Sequence, residues 1–163
     1  MTATGLSPDL LAMMERGVSV IVGSRDAALR PSIMRALGSC IEDGGRKVTV
    51  FVSRRQSRQL VQDIAATGHV AAVFSEPSTH RTVQVKARRA LLRSATADDG
   101  PLLARYLASM EHEIQQVGFA PRLTRAMLAH TLEDLVAISF EPEVAFDQTP
   151  GPRAGTRLFG GGA

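Results

Sequence analysis

The segment Lys47–Ser53 constrains the fold of this chain more than any other stretch. It puts Val48, Val50 and Val52 on one side and Thr49, Phe51 and Ser53 on the other, because successive side chains of an extended strand point to opposite faces. Just before it, Glu42-Asp43-Gly44-Gly45 supplies turn chemistry: glycine tolerates positive φ and aspartate can bond its own backbone. A strand entered through such a turn is one arm of a hairpin. The apolar stretch 31–41 is expected to be the other arm.

The rest of the chain reads in the same terms. A short helical opening at 8–16 precedes a strand, Val18-Ser19-Val20-Ile21-Val22, ended by Gly23. Leu60, Val61, Ile64 and Ala65 recur at helical spacing between a capping Ser57 and a terminating Gly68, so a short helix follows the central strand. Residues 69–74 are extended, and Glu76-Pro77-Ser78 breaks them. In 81–92, Val83, Val85 and Ala87 alternate with Thr82, Gln84, Lys86 and Arg88, the pattern of a half-exposed antiparallel strand. Asp98, Asp99 and Pro101 start the longest helix, whose stripe Leu103, Tyr106, Leu107, Met110, Ile114 and Val117 ends at Gly118. A second helix is expected at 124–130 and a strand at 135–140. From Thr149 onward, prolines and glycines are expected to form no packed element, and the tail either wraps a partner subunit or stays disordered. About six strands in hairpin order make an α+β, mainly β domain around an antiparallel barrel, with one domain at 1–148 and a Gly/Pro-rich tail at 149–163.

Composition narrows the function. With a net charge of +3, six Phe, one Tyr and no Trp, the chain lacks the basic face interleaved with aromatics that a nucleic-acid binder needs. A small anionic ligand is the better expectation. The one cysteine, Cys40, excludes an intrachain disulfide and fits a reducing compartment, so a cytoplasmic location is expected. Residues 1–17 carry Pro8, Asp9, Glu15 and Arg16 and resemble neither a signal peptide nor a membrane span. No membrane is implied. His112 has no second histidine at i+4, and His69, His80 and His130 are scattered, so no metal is expected. Neither a nucleophile elbow nor a Gly-rich phosphate loop is present.

Three features bear on a ligand. Ser53-Arg54-Arg55-Gln56-Ser57-Arg58-Gln59 joins a strand end to a helix start. Three arginines there oppose the positive end of the helix dipole unless solvent or an anion offsets them. A phosphate would satisfy them and so would bulk water; spacing alone does not decide. Arg35 interrupts an apolar strand and needs a partner, either Glu42 or Asp43 in an ion pair or a bound phosphate. The polar face of Thr82, Gln84, Lys86 and Arg88 reads as the solvent side of its strand.

Taken together, Arg35-Ala36-Leu37-Gly38-Ser39-Cys40, then Phe51-Val52-Ser53, then Ser57-Arg58-Gln59 ahead of a short helix resemble, in order and spacing, the FMN-binding split barrels related to pyridoxamine 5'-phosphate oxidase. The likeness reaches Arg81-Thr82-Val83 and covers residues 18–92. It implies a six-stranded antiparallel split barrel with peripheral helices. FMN is the implied cofactor, held at the subunit interface of a homodimer that serves a small-molecule substrate or electron donor. Arg35, Ser57 and Arg58 would hold the phosphate, with Gln59 beside them. Val52 and Ser53 would stand at the strand end, Thr82 at the family's glutamine, and the Ala36, Leu37 and Gly38 backbone along the ring. Cys40, Val52, Gln59 and Thr82 replace the family's lysine, tyrosine, lysine and glutamine, and the Arg and His pair that the oxidase uses on its substrate is missing at the C-terminal end. The resemblance therefore implies a divergent flavin-dependent oxidoreductase and not the oxidase itself. The alternatives are a non-catalytic flavin or phosphorylated-ligand binder, a haem-binding relative, and a dimerisation module with an empty pocket. No catalytic side chain is assigned.

Overall fold

The computed structural model describes residues 5–161. Helix α1 (Pro8–Arg16) is capped by the Ser7 side chain, which accepts from the Leu10 N–H. Two hairpins follow: β1 (Ser19–Arg25) with β2 (Pro31–Arg35), and β3 (Gly38–Glu42) with β4 (Lys47–Ser53). Helix α2 (Arg58–Thr67) leads into β5 (Val70–Ser75), β6 (Thr82–Ala87) and β7 (Leu91–Ser94). Helices α3 (Gly100–Gln116) and α4 (Pro121–Met127) precede β8 (Leu135–Phe140), β9 (Val144–Asp147) and β10 (Thr156–Phe159). The strands form two antiparallel sheets, one ordered β10-β9-β6-β5-β1-β2 and the other β3-β4-β8-β7. The architecture is α+β.

The ten strands among the described residues exceed the six expected, for reasons that lie in the hydrogen bonding. The stretch 31–41 is two strands in different sheets. The Ala36 N–H bonds to the Val20 carbonyl at 2.9 Å, and the next N–H, of Leu37, bonds to the Phe51 carbonyl at 2.7 Å, so the chain changes sheets between adjacent residues. The stretch 81–92 is likewise two strands, separated where the Ala90 N–H turns to the Gly68 carbonyl at 2.9 Å. The tail does form a packed element: β10 pairs with β9, with a register shift between Arg157 and Phe159. Neither strand shows regular apolar alternation, because β10 is an edge strand with little burial. Helix α4 begins three residues before the expected start, at Pro121, whose missing N–H is harmless in a first turn.

Val20, Val22, Val48, Val50, Val52, Phe74, Val83, Val85 and Ile138 are buried in one continuous core, joined by Met13 and Met14 of α1, Leu60 and Ile64 of α2 and Met110 of α3. Strand β4 is buried on both faces from Val48 to Ser53. Its second face is covered where Leu103 of α3 packs at Gly38; a Cβ on Gly38 would lie 2.6 Å from Leu103 Cδ2. Polar contacts lock the periphery. The Arg93 guanidinium makes two parallel bonds to Asp99 at 2.7 and 2.8 Å, tying β7 to the start of α3. Buried Glu76 and Glu113 share Arg16 and accept from Thr79 and Ser78, fixing the β5–β6 turn against α1 and α3. No helix among the described residues is long and apolar enough to cross a membrane.

Gly68 ends α2 at φ +72°, where an added Cβ would lie 2.5 Å from the Arg88 carbonyl oxygen. Both the left-handed backbone and the contact with the β6–β7 bend require glycine. Gly68→Ala is expected to lower the stability by more than about 1 kcal/mol, read as a fall in the urea midpoint at unchanged slope.

Candidate functional site

The turn between β4 and α2 gathers the candidate anion-binding groups, and it already contains one anion. The Ser53 hydroxyl donates to the Asp134 carboxylate. The Arg55 N–H donates to the same carboxylate at 3.1 Å, and the Arg55 side chain lies 3.4 Å from it. The Arg54 N–H bonds to the Asp134 carbonyl at 2.6 Å. Strand pairing makes this contact: Ser53 of β4 sits opposite Leu135 of β8, so residue 134 must lie beside residue 54. The Ser53 hydrogen bond, with the Arg55 N–H and charge, holds the Asp134 carboxyl below the usual carboxylate range against an opposing desolvation.

The three arginines are therefore not equivalent. Arg55 is neutralised by Asp134, and Arg54 donates to Ser94 Oγ at 3.1 Å. The Arg58 side chain, exposed in the first turn of α2, has no hydrogen bond or ion pair with a described residue. Ser57 precedes it at the N-cap position but does not cap the helix with its side chain. Its hydroxyl is buried and has no hydrogen-bond partner among the described residues, as is also true of the Ser39 and Thr124 hydroxyls. Such a desolvated hydroxyl is uncompensated, and of the three only that of Ser57 adjoins an arginine whose side chain has no described partner.

Other candidates are occupied within the protein. The Gln59 amide donates to Asp63 Oδ1 at 2.8 Å, and Ser32 donates to Oδ2 of the same carboxylate at 2.6 Å, so Gln59 braces a contact between α2 and β2. Val52 is fully buried. Ala36 and Leu37 spend their N–H groups on β1 and β4, and Gly38 receives Leu103. Arg35 pairs with neither Glu42 nor Asp43: Glu42 takes Lys47 at 3.0 Å, and Arg35 donates to Ser19 Oγ at 2.8 Å. It stands at the half-exposed end of β2, where solvent reduces the need for a counter-ion.

The registers bring Arg35 and Thr82 to one end of the six-stranded sheet. Ser19 is opposite Ser75, and Ser75 opposite Thr82. The Ser75 and Thr82 hydroxyls are 2.8 Å apart. Arg35, Ser19, Ser75 and Thr82 thus form a polar row across three strands and the β2 end. Thr82 does not face solvent as expected: it is 9% exposed because residues 148 and 149 bond to its backbone. None of the ten residues singled out from the sequence lines either of two surface cavities, of about 930 and 580 Å³.

No family model matches the chain, and no curated protein matches it by sequence. Its structure is similar to that of an F420 reductase, with a TM-score of 0.55, 14% identity and coverage of 82% of this chain and 93% of the other. It is similar to the haem storage protein HutZ from Vibrio cholerae, with a TM-score of 0.51, 13% identity and coverage of 87% and 94%. It is similar to a pyridoxamine 5'-phosphate oxidase-related, FMN-binding protein from Nostoc punctiforme, with a TM-score of 0.50, 11% identity and coverage of 91% and 87%. The fold is that of the pyridoxamine 5'-phosphate oxidase-related split barrels.

In this split barrel, the residue at the β4–α2 turn that sequence reasoning missed is Asp134. An acidic residue directly ahead of the strand 135–140 is visible in the sequence, but its place beside Ser53 follows only from the pairing of β4 with β8. Because its carboxyl is held low in the folded state, its contribution to stability is present above the unfolded carboxylate value of about 4 and is lost as pH falls through the lowered folded value. Asp134→Asn is therefore expected to lower the urea midpoint at pH 7. The gap to the wild type should narrow progressively below about pH 5, as measured by unfolding curves across pH.

Proposed function

We propose that this chain binds FMN, with the phosphate at the Ser57–Arg58 start of α2, and serves as a flavin-dependent oxidoreductase. The observation that carries this reading is the Ser57 hydroxyl, buried and unpartnered beside an arginine that pairs with nothing described. A phosphate oxygen is the acceptor that hydroxyl lacks. It is also the anion that the first turn of a helix and a guanidinium together favour. The similarity in fold to a protein named as FMN-binding supports the choice of ligand. Arg35, in its row with Ser19 and Thr82, would join Ser57 and Arg58 at the phosphate, and the backbone that follows it would lie along the flavin ring. When bound, FMN supplies the hydride chemistry; the protein holds the phosphate and orients the ring.

Arg58 is exposed and Arg35 half-exposed, and neither lines a described cavity. A ring resting there needs a second wall, since ligand sites bury most of the ligand surface. A second copy of this chain would supply it, and we infer a homodimer with the flavin between subunits.

The test is a visible spectrum of the purified protein followed by FMN titration of the wild type and two variants. Arg58→Ala is expected to weaken FMN at least about tenfold, the cost of one charge-assisted contact. Ser57→Ala is expected to weaken it as well while leaving the urea midpoint unchanged or raised, because the hydroxyl it removes has no partner to lose. Absence of FMN binding, or a haem band in the purified protein with no saturable flavin binding, would overturn the reading.

A further inference from the structure

We propose that the cavity of about 930 Å³ on the outer face of the six-stranded sheet is a second binding site, for a flat aromatic molecule bearing a phosphate. It lies at the opposite end of the β1–β2 hairpin from Arg35: Arg35 is paired with Ile21, whereas Arg25 and Pro31, which line the cavity, are paired with each other. Its volume falls within the range of small-ligand pockets.

The floor is made by one cross-strand row. Ile33 is opposite Gly23, Gly23 opposite Ala71, Ala71 opposite Lys86, and Lys86 opposite Val144. Gly23 and Ala71 keep the centre of this row low. Ile33 stands up on one side, 70% exposed, and Phe146 on the other. The bed between them is apolar and, among the described residues, has no covering element, which suits the face of a ring.

The rim is cationic. Lys86 Nζ lies 5.2 Å from the Phe146 ring centroid and Arg157 Cζ lies 5.8 Å from it, so one aromatic ring holds two positive groups beside the bed. Neither has a carboxylate partner among the described residues. Arg25 completes the rim, with His69 Nε2 at 3.2 Å. The one carboxylate in the lining, Glu143, lies 3.9 Å from Arg88 and accepts its N–H at 2.9 Å. Four cations against one anion in a concave surface concentrate anionic ligands, and two guanidinium groups suit a phosphate. The site is a product of tertiary structure, since Arg157 reaches Phe146 only because β10 pairs with β9.

Isothermal titration at low salt with adenosine monophosphate as the probe, and adenosine as its uncharged control, tests the proposal. Saturable binding of the nucleotide and not of the nucleoside is expected. It should weaken at least about tenfold in Lys86→Ala and in Arg157→Ala, both exposed positions whose loss leaves the core intact, and persist in Arg58→Ala and in FMN-saturated protein. No binding of adenosine monophosphate, or binding that Arg58→Ala or FMN abolishes, would overturn it. FMN affinity measured in the same variants separates failure of this site from failure of the flavin site.

Discussion

Two consecutive peptide N–H groups organise this protein. The Ala36 N–H hydrogen-bonds into the six-stranded sheet and the Leu37 N–H into the four-stranded one, at residues buried almost completely. A buried amide without a partner costs as much as a lost hydrogen bond, so the chain can change sheets there only if both sheets supply an acceptor at that point. Satisfying that condition places β1 and β4 on either side of the link. Their valines then share one core, and the β4 end, the α2 start and the Arg35 end of β2 follow in consecutive segments of chain.

The electrostatics of the β4–α2 turn follow from that frame. Three arginines at the positive end of a helix are unfavourable together. Asp134 relieves Arg55 and Ser94 engages Arg54, which leaves the Arg58 side chain and the buried Ser57 hydroxyl unmatched among the described residues. Asp134 and Ser94 thus engage two of the three guanidinium groups, and the proposed phosphate site rests on what they leave over. At the other end of the sheet Lys86 and Arg157 lean on Phe146 with no carboxylate partner among the described residues, and the proposed second site rests on that arrangement.

How much was legible depended on whether the signal was local. Lys47–Ser53 and Leu135–Phe140 stand as strands with the expected bounds, since short, mostly apolar and β-branched runs closed off by turn residues are a local signal. Residues 57–68 read as a helix from a signal equally local, with Gly68 as its stop. The stretches 31–41 and 81–92 hid their breaks, because the break lies in which strand accepts a backbone N–H, and that leaves no mark on side-chain pattern. The tail hid β10 because an edge strand buries little. Of the candidate site, Ser57 and Arg58 were visible as residue types at a helix start, while Asp134 and the row from Arg35 to Thr82 were not.

The sequence by itself determined the strands at 47–53 and 135–140, the helices at 8–16 and 58–67, the composition that disfavours a nucleic-acid surface, and the basic turn ahead of α2, because these rest on periodicity, capping and charge over a few neighbouring residues. Only the tertiary structure decided which arginine of that turn is left without a partner among the described residues, that the Asp63 carboxylate held by Gln59 also takes Ser32 of β2, and that Lys86, Phe146 and Arg157 stand together. Each of these depends on strand register or helix docking, and contacts across 60 or more residues of chain, such as Ser53 with Asp134, are set by the summed fit of the core and not by any local rule.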